Sequence, residues 1–221
     1  MISVHHLNDS RSQRILWLLE EIGLDYDIIR YQRDPNTMRA PVELQQAHPL
    51  GKSPLITDGG KTYAESAAII EYLVDTYGQS LKPATDSDAY RDYVYWLHFS
   101  EGSLMPPLLV KLIGDRLTTA KVPFFVKPIV KSISKQMEAN FSGPEIANLL
   151  EFIDAHLGEN EWFCGENFSA ADIQMSFPLE ASAARAPGFA KYANIVKFVD
   201  RIHARPAYQK ALERGGDYSY A

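Results

Sequence analysis

Every stretch of this chain that reads as a β-strand lies before residue 65, and a pair of glycines dictates how two of them meet. Pro54–Thr57 and Lys61–Ala64 flank Asp58-Gly59-Gly60, a composition that favours a tight hairpin because positive φ angles cost glycine little. Ahead of it, Ile2–Leu7 and Tyr26–Tyr31 read as strands on either side of Arg11–Ile22, where Ile15, Leu16, Leu18, Leu19 and Ile22 recur at helical spacing and Gly23 marks the stop. Pro41–Ala47 reads as a short helix, and Ser66–Tyr77 as an amphipathic helix closed by Gly78. A strand–helix–strand start implies parallel pairing, and the hairpin adds an antiparallel edge. The expectation is a βαβαββα unit with one mixed four-stranded sheet over residues 1–80.

From Asp88 onward no strand is convincing. Helical segments are punctuated by Pro106-Pro107, Pro123, Pro128, Gly143-Pro144, Gly158, Pro187-Gly188 and Pro206. Residues 79–87 suit a linker, so 88–221 reads as a separate all-α bundle. Within it, Phe168-Ser169-Ala170-Ala171-Asp172 is a capping box. Ser169 and Asp172 are expected to bond each other's amides and Phe168 to staple onto Ile173, stabilising the helix start by about 1 to 2 kcal/mol. Lys127, Lys131 and Lys135 read as a solvated helix face.

The totals exclude several classes of function. No apolar run reaches the length of about 18 residues that spans a bilayer, and Met1-Ile2-Ser3-Val4 has no signal-peptide pattern. A net charge of −6 disfavours nucleic acid as a partner. Cys164 is the only cysteine, so no intrachain disulfide and no cysteine-rich metal site is expected, and a reducing cytoplasm is the expected location.

Three phrases carry chemistry. Ser53-Pro54 opens an apolar strand; its peptide bond reads equally well as an ordinary trans strand start or as a cis bond that turns the Ser53 amide and carbonyl outward to a bound peptide. Glu65-Ser66 opens a helix, where the hydroxyl either caps the first turn or joins its free amides as an anion site. Asn8-Asp9-Ser10-Arg11-Ser12 lies where the first strand ends and the first helix begins, the edge at which α/β sheets bind ligands. Ser10 there reads either as a cap or as a donor to an anion. Nothing marks His5 or His6 as a base, so a serine-hydrolase triad is unsupported.

Set in sequence, these phrases resemble the cytosolic glutathione transferases. The likeness is to the fungal and bacterial serine-type branch and runs through Arg14-Ile15-Leu16-Trp17-Leu18-Leu19, His48-Pro49-Leu50-Gly51-Lys52-Ser53-Pro54-Leu55, Glu101-Gly102-Ser103-Leu104-Met105-Pro106-Pro107-Leu108 and Ala171-Asp172-Ile173-Gln174-Met175-Ser176-Phe177-Pro178-Leu179. The resemblance implies a thioredoxin-like domain followed by a helical domain, with glutathione as co-substrate and no permanently bound cofactor. It implies that Ser53, beside a cis Pro54, pairs with the cysteinyl backbone, that Glu65 and Ser66 hold the γ-glutamyl end, and that Lys52 and Arg39 meet the glycyl carboxylate. Ser10 takes the place of the hydroxyl that faces the thiol, with Asn8 and Ser12 as neighbouring alternatives.

The implied reaction is attack of the glutathione thiolate on a small apolar electrophile or a hydroperoxide. A glutathione-dependent disulfide reductase and a non-catalytic binder of glutathione or hydrophobes are the alternative readings. The position that carries cysteine in thioredoxin-like redox enzymes is Ser10 here, so the reactive sulfur must arrive with the ligand. Leu7, Trp96, Phe99, Met105 and Leu108 are candidates to line the electrophile pocket between the domains, with Asn8 beside them. The family likeness also implies a homodimer, with Glu101 or Ser103 facing the partner's site.

Overall fold

The first two strands meet in parallel because a helix carries the chain back between them. In the computed structural model, which describes residues 1–186 and 188–221, β1 (Ile2–Leu7) and β2 (Tyr26–Tyr31) pair from Ile2–Tyr26 to Leu7–Tyr31 across α1 (Ser12–Ile22). Gly23 ends α1 in the left-handed region at φ 77°, where its amide reaches the Leu19 and Glu20 carbonyls. The chain then makes the short α2 (Leu44–Ala47), β3 (Leu55–Asp58), β4 (Lys61–Ala64) and α3 (Ser66–Tyr77). Gly59 and Gly60 form the two-residue hairpin loop with φ of 54° and 78°, the signs a type I′ turn requires. The sheet order is β2-β1-β3-β4, with β3 antiparallel to both neighbours. The ladder starts at Leu55, since Pro54 has no amide proton to contribute.

The rest of the chain is helical: α4 (Asp88–Phe99), α5 (Met105–Thr118), α6 (Lys127–Met137), α7 (Gly143–Glu159), α8 (Ala170–Arg185), α9 (Ala193–His203) and α10 (Pro206–Gly215). Wide helical turns at Ser100–Leu104 and Glu138–Ser142 join α4 to α5 and α6 to α7. The axis of this half is α8, buried at every residue from Ala170 to Ser182. Its capping box forms: Asp172 accepts the Ser169 amide at 2.8 Å and Ser169 Oγ accepts the Ala171 amide at 3.3 Å. Asp172 also takes the Phe163 amide at 2.9 Å, which ties the preceding loop to the helix start. Phe168, expected against Ile173, lies against Trp17 and Trp162 with the Arg205 guanidinium 3.8 Å above its ring.

One apolar core runs through both halves, from Val4, Leu16 and Ile70 to Trp96, Leu150 and Phe198. The joint is α1. Trp17 is fully buried with its ring edge-on to Tyr208 of α10, and Glu21 receives Arg205 through two hydrogen bonds of 2.5 and 2.8 Å. Glu20 receives Lys210 and Arg214 in the same way. The turn that follows β1 is thereby held against the helical half, and a cavity opens between this turn, α5 and α8. Among the described residues, no helix is long and apolar enough to cross a membrane.

Candidate active site

At the end of β1 the chain turns through Asp9, at φ 48°, and presents Ser10 to the junction of the two halves. Ser10 is buried, and its Oγ lies 2.8 Å from both the Leu7 carbonyl and Ser12 Oγ while accepting the Ser12 amide at 3.2 Å. Behind it, Ser12 Oγ lies 2.8 Å from His6 Nδ1 and accepts the Leu7 amide at 3.2 Å. Burial pushes His6 down to about 4; the positive charge of Arg30 adds to this and a hydrogen bond to the Gly215 backbone opposes it. The imidazole is therefore neutral at pH 7. The Ser12 hydroxyl lies between His6 Nδ1 and the Leu7 carbonyl, at 2.8 and 3.2 Å. Ser12 is committed inward. Ser10 keeps a proton that can turn from the Leu7 carbonyl toward a ligand.

Ser53 comes to the same place from β3's side. Its Oγ is 3.3 Å from Ser10 Oγ and donates to the His5 carbonyl at 3.2 Å, and the Ser53–Pro54 bond is cis. Next to it α3 begins without any side-chain cap: Glu65 stands at its head with φ 70°, and the Ser66 hydroxyl has no protein partner among the described residues. A cavity of about 200 Å³ opens here, walled by Lys52, Ser53, Pro54, Glu65 and Ser66 and closed by Arg11 and Glu101. Free helix amides and Lys52 suit two carboxylates, and the Glu65 and Glu101 carboxylates suit an ammonium group.

Glu101 is the strut of this wall. It accepts Arg11 Nε at 3.1 Å and also pairs with Arg14, whose side chain is fully buried and reaches the Gln174 carbonyl at 2.6 Å. Burial pushes the Glu101 carboxyl up, but the charges and hydrogen bonds of Arg14 and Arg11 outweigh it and hold the group below the usual carboxylate range. On the far side of Arg11 lies a second cavity of about 530 Å³, with Met105, Leu108, Leu109, Leu112 and Phe177 as its apolar wall. The two spaces adjoin at Arg11, next to the turn that carries Ser10.

Of the candidates read from sequence, Ser10, Lys52, Ser53, Pro54, Glu65 and Ser66 converge on the first cavity or its floor, and Met105 and Leu108 line the second. Five expectations are corrected. Trp96 and Phe99 pack into the helical core against Phe152, with His156 and Phe163 around Trp96. Leu7 is 2% exposed and lines neither space. Asn8 points its Oδ1 at the Arg33 amide, away from the cradle. Arg39 is absent from both cavities and closes a local turn with Asp34 and Thr37.

Known proteins resemble this chain over both of its halves. A family model for the glutathione S-transferase N-terminal domain matches residues 10–76, and one for the glutathione S-transferase C-terminal domain matches 112–206. Glutathione S-transferase 3 of Schizosaccharomyces pombe is 41% identical over 98% of this chain and 89% of its own length. The chain belongs to the glutathione S-transferase family. Glutathione S-transferase 1 of Saccharomyces cerevisiae is 33% identical over 97% of this chain and 95% of its own. A solved glutathione S-transferase from Actinobacillus pleuropneumoniae superposes with a TM-score of 0.82 at 34% identity, covering 100% of this chain and 95% of that one.

For a glutathione S-transferase, the residues that the sequence left unassigned are instructive. Glu101 was read as facing a partner subunit; it lines the cradle of its own chain. Arg11, to which the sequence assigned no role of its own, is the partition between two cavities. His6 gave no signal at all, because its role depends on a hydroxyl six residues away and on a carbonyl from the last helix.

Proposed function

We propose that this transferase binds glutathione in the cavity between Lys52 and Ser66, keeps its thiol as thiolate beside Ser10, and delivers the sulfur to an electrophile held in the second cavity. The observation that carries this reading is that Ser53, 3.3 Å from Ser10, and the uncapped start of α3 line one space. The γ-glutamyl carboxylate meets Ser66 and the α3 amides, its ammonium meets Glu65, and the glycyl carboxylate meets Lys52. The cysteinyl backbone pairs with Ser53, which directs the sulfur at Ser10.

A free thiol has a pKa of about 8.5, so only a small fraction is thiolate at neutral pH. Each unit of depression corresponds to about 1.4 kcal/mol of preference for the anion. Ser10 supplies part of it by turning its hydroxyl to the sulfur, which it can do because the Ser12 amide already holds its oxygen. Ser10 does not attack, and neutral His6 takes no proton from it. The chain's own thiol has no part either: Cys164 is buried in the helical half, and burial pushes it up to about 12. Acceptors are small apolar electrophiles and hydroperoxides, and assembly as a homodimer in a reducing cytoplasm goes with the reading.

The test is a panel of aryl halide, hydroperoxide and disulfide acceptors with glutathione, run on the wild type and on Ser10→Ala. The expected result is conjugation or peroxide reduction by the wild type and a fall of about a hundredfold in kcat/KM for the variant. The bound thiolate, followed by ultraviolet difference absorbance, should titrate at higher pH in Ser10→Ala. An unchanged titration removes Ser10 from its role. Turnover of disulfides alone favours the reductase reading, and glutathione binding without any turnover favours the non-catalytic one.

A further inference from the structure

The wall of the second cavity is not uniformly apolar. Arg11, Arg33, Lys111, Arg116 and Arg185 all reach it, against the single carboxylate of Asp9, in a chain whose net charge is −6. Two of the five cations are neutralised within the protein, Arg11 by Glu101 and Lys111 by Asp115 and Glu138. The other three make no ion pair among the described residues. Arg33 is fixed by three neutral acceptors, the carbonyls of Asn8, Asp9 and Met38, at 3.1, 3.3 and 3.0 Å. Arg185 donates to the Tyr220 hydroxyl at 2.6 Å and lies over that ring. The Arg116 side chain has no hydrogen-bond or ion-pair partner among the described residues. Asp9 is itself occupied by the Ser219 amide at 2.8 Å.

Such an arrangement is unfavourable while the space holds only solvent. Arg33, Arg116 and Arg185 line one space with Arg11; burial lowers the affinity of Arg33 for its proton, the Tyr220 hydroxyl and the Asp9 carboxylate oppose this, and the like charges of Arg116 and Arg11 add to it. A ligand that brings negative charge relieves the repulsion, and guanidinium groups bind carboxylates and related oxyanions through paired hydrogen bonds. Glutathione's own carboxylates do not account for these cations, because its cradle and Lys52 lie on the other side of Arg11.

From this juxtaposition of an apolar wall with three unpaired guanidinium groups, we propose that the second cavity selects acceptors with an apolar body and an anionic head, such as a carboxylate or sulfonate. The body lies along Met105, Leu108 and Phe177, the head rests among Arg33, Arg116 and Arg185, and the electrophilic carbon points past Arg11 toward the sulfur. The proposal rests on the assignment of the two cavities made above, and deepens it by naming the substrate class.

Binding and turnover test it separately. The binding probes are 8-anilinonaphthalene-1-sulfonate and N-phenyl-1-naphthylamine, one apolar body with and without the charge, titrated by fluorescence in the presence of saturating glutathione. We expect the sulfonate to bind about tenfold tighter, with a preference that weakens as salt rises and disappears in the double variant Arg116→Gln/Arg185→Gln. The acceptors are 4-chloro-3,5-dinitrobenzoate and its methyl ester, with kcat/KM divided by each compound's uncatalysed rate with glutathione. The acid should be favoured by the wild type and lose its advantage in the double variant.

Equal binding of the two probes, or a preference that survives in the double variant, overturns the proposal. So does a double variant that raises the thiol titration of bound glutathione while leaving the acid preference intact, because the arginines then serve the thiolate instead. If the sulfonate preference holds but neither acceptor is conjugated, the transferase reading fails while the anion site stands. Arg33 is left out of the variants because it also holds the turn that carries Ser10.

Discussion

The two cavities that meet at Arg11 are built from different materials. The proposed glutathione cradle rests on short groups fixed at the ends of elements, the α3 amides, two serine hydroxyls and one proline, with the longer Lys52, Glu65, Arg11 and Glu101 around them. The acceptor cavity is made of long side chains from the β1–α1 turn, α5, α8 and the last residues of the chain. Backbone has few degrees of freedom to lose, so the cradle is suited to one ligand held in one pose. Long side chains can re-pack, so the acceptor cavity can be altered residue by residue without disturbing the cradle. Only the wall at Arg11, which Glu101 holds in place, is shared.

That wall gives the largest expected effect. Glu101→Ala leaves the guanidinium of Arg14 buried without its carboxylate, and loss of one partner of a buried pair costs about 3 kcal/mol. Urea unfolding should show the loss, and glutathione and acceptor KM should rise together. If only one of them rises, the wall is not common to the two cavities.

Acid comes next and strikes the cradle side. His6 is held at about 4 in the folded chain against an ordinary 6.5. Between those values the unfolded chain binds the proton and the folded one does not, so this group's contribution is intact above pH 6.5 and is lost as pH falls toward 4. The loss amounts to about 3 kcal/mol at the acid end. His6→Asn removes that slope. Unfolding at pH 7, 5.5 and 4 should therefore show a shallower decline for the variant, and parallel declines would contradict the assignment.

The smallest effect separates capping from binding at α3. Since no side chain caps that helix, Ser66→Ala should leave the melting temperature within about a degree, where loss of a true cap would cost about 1 kcal/mol. The same variant should raise the KM for glutathione about tenfold, by loss of a hydrogen bond to a charged group. A stability loss with unchanged KM would restore the capping role and break the comparison on the cradle side.

The same division explains what could be read from the sequence. The hairpin at Gly59-Gly60, the α1 stop at Gly23 and the Ser169–Asp172 box are local devices, and each formed where its residues predicted. The cradle was legible because its pieces are short phrases at element ends. The acceptor cavity was not. Aromatic residues at helical spacing look alike whether they face a core or a space, and Trp96 and Phe99 went to the core. Arg33, Arg116 and Arg185 stand far apart in sequence and come together only through the packing of α5 and α8 against the β1–α1 turn. Asn8 lost its place to a neighbour that no local pattern reveals, the Arg33 amide.

The burial of Arg14 and Trp17 on α1 has a consequence for how such chains can be recombined. Both side chains of the sheet half spend their length inside the helical half. The first eighty residues, expressed alone, would present an indole and an unpaired guanidinium to water on the face that α8 and α10 now cover. They are therefore expected to aggregate. A chimera that joins this sheet unit to a foreign helical bundle should fold only when the bundle brings its own equivalents of Glu101 and Tyr208. The two halves are not interchangeable modules, and exchange between relatives should keep α1 with the helices it contacts.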